Sequence, residues 1–173
     1  MAPSAYLLAN PEVHNMYRAT FTCHDRNGDD GIYSTHDGSI GETWHHTIAD
    51  AICAIMADAE AHRDMYADTA EHHWRDAFAT AADAFATMLH DGTTRRPIES
   101  LTYLISGDHD PADHAPWTLG TYTITTGRPT CAECRTTLTG YTIPNGSNSD
   151  SITCHACGLD ADPARHYAAH PTT

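Results

Sequence analysis

The chain of 173 residues carries 23 acidic residues against nine arginines and no lysine, for a formal charge of −14, and 40% of it is hydrophobic. That is enough apolar material for one medium domain, or a domain plus a small module, and six cysteines are too few for a disulfide-built scaffold of this length. No stretch approaches the roughly 20 apolar residues of a membrane span. An acidic body also repels a phosphate backbone, which disfavours nucleic-acid binding by the N-terminal half, where residues 1–93 hold 15 of the acids and four arginines.

Met1 to Ala9 has no basic start and too short an apolar run for a secretory leader. A cytoplasmic setting, where thiols stay reduced, is the expectation. Arginine without lysine, amid abundant Ala, Thr, Asp and His, resembles the composition of proteins from GC-rich actinobacteria or their phages. The 14 histidines read as surface residues standing in for lysine, with a pH sensor as the sharper alternative.

Residues 16–24 alternate, placing Tyr17, Ala19, Phe21 and Cys23 on one face of a half-buried strand. Ile32 to Thr35 is the expected partner. The intervening Asp25-Arg26-Asn27-Gly28-Asp29-Asp30-Gly31-Ile32 looks like a calcium loop at its first, third, fifth and eighth positions. Asp30 stands where that loop needs glycine, however, and His36 where it needs a bidentate glutamate, so a hairpin turn is the better reading.

From Ile40 to His90 no proline occurs, and no glycine after Gly41. Trp44, Ile48, Ile52, Ile55, Ala59, Tyr66, Ala70, Trp74, Ala77, Ala81, Phe85 and Met88 recur mostly at intervals of three and four, which predicts helix. One unbroken rod would run about 75 Å, too long for a compact body. Capping boxes at Ser39-x-x-Glu42 and Asp68-x-x-Glu71 predict a helix over 40–66, a turn near Ala67-Asp68 and a helix over 69–90 ended by Gly92. Alanine at facing positions suits either this hairpin or an unbroken helix paired with a second copy of the chain.

Ile98 to Ile105, closed by Gly107, is a short helix or strand, with Pro97 tilting the choice toward helix. Asp108 to Pro116 is polar and proline-bearing, and Leu119 to Thr125 reads as a strand.

Tests for catalytic constellations give little. Glu42-Thr43-Trp44-His45 is an ExxH element of the di-iron type, but no second one occurs. Asp58 with His62, and Asp68 with His72, are helix-spaced pairs able to orient an imidazole, and His62 and His73 lie about three turns apart. Cys23-His24 with His14 or His36 is another combination, while Cys53 reads as core. Phosphate-loop, dinucleotide, zinc-protease and nucleophile-elbow motifs are absent, as is the His-x-Glu element of zinc deaminases.

The strongest signal is Cys131-x2-Cys134-x19-Cys154-x2-Cys157, a spacing that brings two pairs of sulfurs to one tetrahedral Zn²⁺. With all four positions taken, such a site is structural, and in small modules it contributes on the order of 10 kcal/mol to folding. Leu138 to Ile143 reads as a strand, Pro144 to Asp150 as a turn and Ser151 to Thr153 as the returning strand. These features resemble the zinc-ribbon family, in which two CxxC knuckles flank a β-hairpin. Cys157 is followed by the glycine such knuckles favour, Gly158, whereas Cys134 is followed by Arg135. A pair of disulfides is the alternative for these cysteines.

The expected fold is therefore α+β: an N-terminal β-hairpin with a long helical hairpin in residues 1–107, a linker over 108–116, a zinc-ribbon β-hairpin module over 117–162, and a tail over 163–173. The expected function is a non-catalytic zinc-binding interaction or regulatory protein, with Cys131, Cys134, Cys154 and Cys157 as ligands. Its partner is expected to be another protein, or a second copy through the helices. Arg95, Arg96, Arg128 and Arg135 are where the ribbon would touch nucleic acid, although scattered arginines are more simply solvated surface. Two other readings stay open: an acidic DNA mimic of the phage anti-host type, and a metalloenzyme using helix-borne His and carboxylates.

Overall fold

The computed structural model describes residues 16–24, 31–32, 41–68, 72–92, 100–107, 117–138, 143–154 and 157. Among them lie six strands and two long helices, an α+β arrangement: β1 (Met16–Cys23), β2 (Gly31–Ile32), β3 (Glu42–His45), α1 (Ile48–Met65), α2 (His72–His90), β4 (Ser100–Gly107), β5 (Trp117–Gly127) and β6 (Ser147–Asn148). The sheet runs β4-β5-β1-β3-β6, with β2 beside the end of β1, and every pairing is antiparallel.

β1 lies at the middle of the sheet because both of its faces bury side chains. Ala19 and Phe21, flanked by Tyr17 and Cys23, point into a core shared with the helices, as the alternation predicts. Met16 faces the opposite way, into a second core. β5 follows β1 from Met16↔Gly127 to Cys23↔Gly120. At the last pair a Cβ on Gly120 would sit 2.6 Å from the Phe21 ring and 2.8 Å from the Thr22 carbonyl oxygen, so the Phe21 ring fits only against a residue lacking a side chain.

The helical hairpin forms with its break where the length argument requires one. α1 buries Ile48, Ala51, Ile52, Ile55, Ala59 and His62, spaced by threes and fours, and Tyr66 caps its end. α2 answers with Trp74, Phe78, Ala81, Ala82 and Phe85, and Gly92 at φ 79° follows its last turn, the left-handed terminus expected there. The alanines, fully buried at 51, 59 and 81, let the two helices approach each other within one chain.

The first helix does not start at residue 40. Glu42 to His45 is strand β3, paired with β1 from Tyr17↔His45 to Thr20↔Glu42. Thr43, Trp44 and His45 fit a pleated strand packed on both faces better than a solvated first helical turn. The cap is Thr47, whose Oγ1 accepts from the Asp50 N–H at 3.1 Å and donates to the Asp50 carboxylate at 2.7 Å. The box read at Ser39-x-x-Glu42 is thus displaced to Thr47-x-x-Asp50, and the box at Asp68 ends on residues outside those described.

Residues 100–107 form a strand, against the helical preference drawn from Pro97. Leu101, Tyr103 and Ile105 alternate into the helix-side core while β5 supplies the hydrogen bonds. A two-residue period outweighs one proline cue. Of the partner strand expected at 32–35, Ile32 pairs with Thr22, and Gly31 before it pairs with Cys23. Residues 25–30 of the calcium-like loop, residues 33–35 of that expected strand and the segment 108–116 lie outside the described residues.

Candidate metal centre

The second core, on the face of the sheet away from the helices, positions the cysteines. Met16, Trp44, Cys131, Leu138, Ile143 and Ile152 are buried together, with Cys154 and Cys157 packed against them. The first cysteine pair sits in a tight turn. The Cys131 N–H donates to the Thr136 carbonyl and the Arg135 N–H to the Cys131 carbonyl, both at 2.9 Å, with Thr130 and Thr137 bridged at the base. Arg135 adopts φ 61°, the only non-glycine residue with positive φ among those described. The glycine missing from the first knuckle is missing where the backbone turns left-handed.

The second pair arrives by way of a short strand and a 3-10 turn. The sequence predicts a turn over Pro144 to Asp150 and a strand over Ser151 to Thr153. Instead Ser147 and Asn148 form β6 on β3, and Ser149–Ser151 is one turn of 3-10 helix with Asn148 as its cap. Asn148 competes with strand geometry by accepting from the Asp150 N–H at 2.9 Å. The chain then passes Ile152, whose carbonyl accepts from the Ala132 N–H at 2.8 Å, and reaches Cys154 beside Cys131.

Four sulfurs meet there. The Sγ atoms of Cys131, Cys134, Cys154 and Cys157 all lie within 4.8 Å of one another, and Cys134 and Cys154 are 3.7 Å apart. A tetrahedral ion with metal–sulfur bonds of about 2.3 Å sets sulfur–sulfur edges of about 3.8 Å, whereas a disulfide needs about 2.05 Å. None of the four is joined to another in a disulfide. Backbone N–H groups also aim at sulfur, from Cys154 to Cys131 Sγ at 3.2 Å and from Cys157 to Cys154 Sγ at 3.4 Å. The donor set, its dimensions and its N–H support fit a four-thiolate metal site.

The titration pattern follows from crowding. The Thr136 hydroxyl, 3.2 Å from Cys134 Sγ, together with the Thr136 backbone lowers the Cys134 thiol to about 6. Burial works to raise Cys131, but N–H groups from Cys134, Cys154 and Glu133 outweigh it and leave the thiol lowered. Cys157 rises to about 12 because its hydrogen bonds to Cys154 and then Cys134 favour the protonated form. A fourth thiolate is costly beside its neighbours until a cation joins them.

The centre is tied to the sheet through Trp44. Its indole N–H donates to Ser149 Oγ at 2.8 Å, and Ser149 donates to Glu42 Oε1 at 2.7 Å. Arg18 lies 3.7 Å from Glu42 and stacks over the Trp44 ring at 5.9 Å. A polar cavity of about 270 Å³ beside the first knuckle is lined by Glu42, Thr130, Arg135, Ser149 and Asp150 among others.

The other sequence-derived constellations do not assemble. Glu42 and His45 lie on a strand three residues apart, hence on opposite faces, so the ExxH geometry is lost. His45 is buried with Nε2 2.9 Å from Thr43 Oγ1. Asp68 lies in the turn after α1 and His72 opens α2, so they share no helical face. His73 packs on Trp74 with ring centroids 4.6 Å apart. His24 Nε2 meets Thr121 Oγ1 at 2.7 Å, and His14 and His36 lie outside the described residues. Cys53, expected in the core, is exposed. Asp58 and His62 do pair, at 3.2 Å, but inside the helix-side core between aromatic rings. Among the described residues, the four cysteines are the one group of three or more potential ligands that converges.

No family model, curated protein or solved structure matches this chain. No helix among the described residues is long and apolar enough to cross a membrane.

Proposed function

We propose that this chain is a non-catalytic zinc protein of the interaction or regulatory kind, with Zn²⁺ held by Cys131, Cys134, Cys154 and Cys157 in a zinc-ribbon-like site. The observation that carries the reading is the meeting of four sulfurs at tetrahedral spacing, with backbone N–H groups supporting two of them. A four-thiolate ion has no open position for substrate, so its contribution is a cross-link. It would fasten the segment after β5 to the rear face of the sheet, beside the small core of Met16, Trp44, Leu138, Ile143 and Ile152. The recognition surface would then be built on that fastened segment, in the cytoplasm, with a protein as partner.

Metal analysis of protein purified without chelator is the direct test. One equivalent of zinc, and intense thiolate charge-transfer bands after cobalt substitution, are expected. Less than half an equivalent of zinc, or cobalt spectra showing bound solvent, would sink the proposal.

A further inference from the structure

β4 ends the sheet. Among the described residues it bonds to β5 on one side and has no strand on the other. Soluble proteins blunt such edges with lysine, proline, inward charges, very short strands, bulges or a covering segment. Among the described residues β4 has one such device, an irregularity in its pairing with β5 between Ile105 and Ser106; it is otherwise eight residues of Ser-Leu-Thr-Tyr-Leu-Ile-Ser-Gly, without charge or proline. Leu101, Tyr103 and Ile105 face the helix-side core, leaving Thr102, Leu104 and Ser106 on the opposite face. Leu104 is 58% exposed, more than any other large hydrophobic residue described.

We infer that β4 is the seam of a homodimer, pairing antiparallel with β4 of a second copy to make one continuous sheet. Geometry limits the register. A two-fold axis normal to the sheet keeps each residue opposite one on the same face, so the axis passes through a residue rather than between two. Centred on Leu104, it sets Leu104 against Leu104 of the second copy, Tyr103 against Ile105, and Thr102 against Ser106. Every pair then matches apolar with apolar or hydroxyl with hydroxyl, the cross-strand combinations that stabilise sheets. The exposed leucine is covered by its own image.

The self-complementary register points to a copy at this edge, and charge limits where two copies can meet. Two chains of −14 repel across most of their surfaces, an effect felt within about 8 Å at physiological ionic strength. The β4 strand itself, free of Asp, Glu and Arg, lets them approach there with little like-charge cost. A basic partner would be drawn to the acidic surface and finds no carboxylate on β4. The same axis keeps both helix layers on one side, and α2, which packs over β4, comes alongside its counterpart.

Light scattering and sedimentation equilibrium on the full chain test the seam, with zinc measured on the same sample so that loss of metal and loss of dimer are told apart. Wild type is expected to be a dimer. Leu104→Lys places two ammonium groups face to face and should raise the dissociation constant about tenfold or more, with an unchanged far-ultraviolet spectrum. Thr102→Lys should weaken the dimer in the same direction. Met65→Lys, which alters the other exposed large hydrophobic residue, at the end of α1, should leave the dimer intact. A wild type monomeric at about 100 µM, a dimer indifferent to Leu104→Lys, or one lost with Met65→Lys would each overturn the inference.

Discussion

The Tyr122 hydroxyl donates to Asp58 Oδ2 at 2.6 Å, and both residues are fully buried in the core between the helices and the sheet. His62 shares the same carboxylate at 3.2 Å and also bonds the Asp58 carbonyl through Nδ1 at 2.9 Å. One polar knot thus joins α1 to β5 among Phe21, Phe78 and Phe85. Burial first, and then the Asp58 carboxylate, hold the Tyr122 phenol far above its usual range, so the hydroxyl keeps its proton and donates. Tyr122→Phe keeps the ring and removes the donor. Urea unfolding should show a loss of about 1.5–3 kcal/mol, the scale of a buried hydrogen bond to a charged group. A loss below about 0.5 kcal/mol would mean that the carboxyl finds another donor.

Part of this was legible in the chain. The Asp58–His62 spacing announces a helical pair, but Tyr122 lies 64 positions away and no local pattern points to it. The β1 alternation and the spacing of Ile48, Ile52, Ile55 and Phe85 reveal their elements because each buries one face against one core. Trp44 misleads for the opposite reason. It falls in register with the helical repeat, yet it packs on the rear core, and a one-dimensional pattern does not record which of two cores a residue joins. The cysteine spacing foretells the meeting of the sulfurs. It does not foretell the path between them, because Asn148 and Ser149 turn the chain through side-chain hydrogen bonds, which leave no period.

Metal removal should divide the molecule along the plane of the sheet. The helix-side core contains none of the four cysteines, whereas the rear core contains Cys131 and packs against Cys154 and Cys157. Chelation, or Cys131→Ser, should therefore free the segment after β5 while the helices persist. Far-ultraviolet helicity should stay near the metal-bound value as Trp44 emission moves to longer wavelength, with Trp44→Phe used to remove the contributions of the other two tryptophans by difference. Simultaneous loss of both signals would show that the sheet needs both faces covered to stand.

Arg135 occupies a backbone conformation that costs a side-chain-bearing residue about 1–2 kcal/mol. Arg135→Gly should relieve most of that cost, less about 0.4–1 kcal/mol for the extra freedom of glycine in the unfolded chain. The net expectation is a gain of about 1 kcal/mol, seen as roughly fivefold tighter metal binding in a competition titration with a chromophoric chelator. Arg135→Ala keeps the Cβ and should change little. Equal effects of the two substitutions would assign the change to the guanidinium instead of the backbone.

His45 gives the fold a defined acid sensitivity. Burial is the largest influence and lowers its imidazole below the usual 6.5, with the Asp50 carboxylate and the Asn145 amide offsetting part of the effect and His46 adding slightly to it. The folded chain then holds His45 neutral where the unfolded chain has begun to protonate it, so the unfolded state binds more protons below pH 6.5. This contribution to stability is complete above that pH and is lost as pH falls below it, toward the lower folded value. His45→Gln keeps a polar group beside Thr43 and removes the titration. Measured from pH 8 to pH 5 at constant zinc, the wild type should lose stability relative to His45→Gln only below about pH 6.5. Acid release of zinc from the thiolates is common to both proteins and cancels in the difference. Parallel curves across that range would place the acid sensitivity elsewhere.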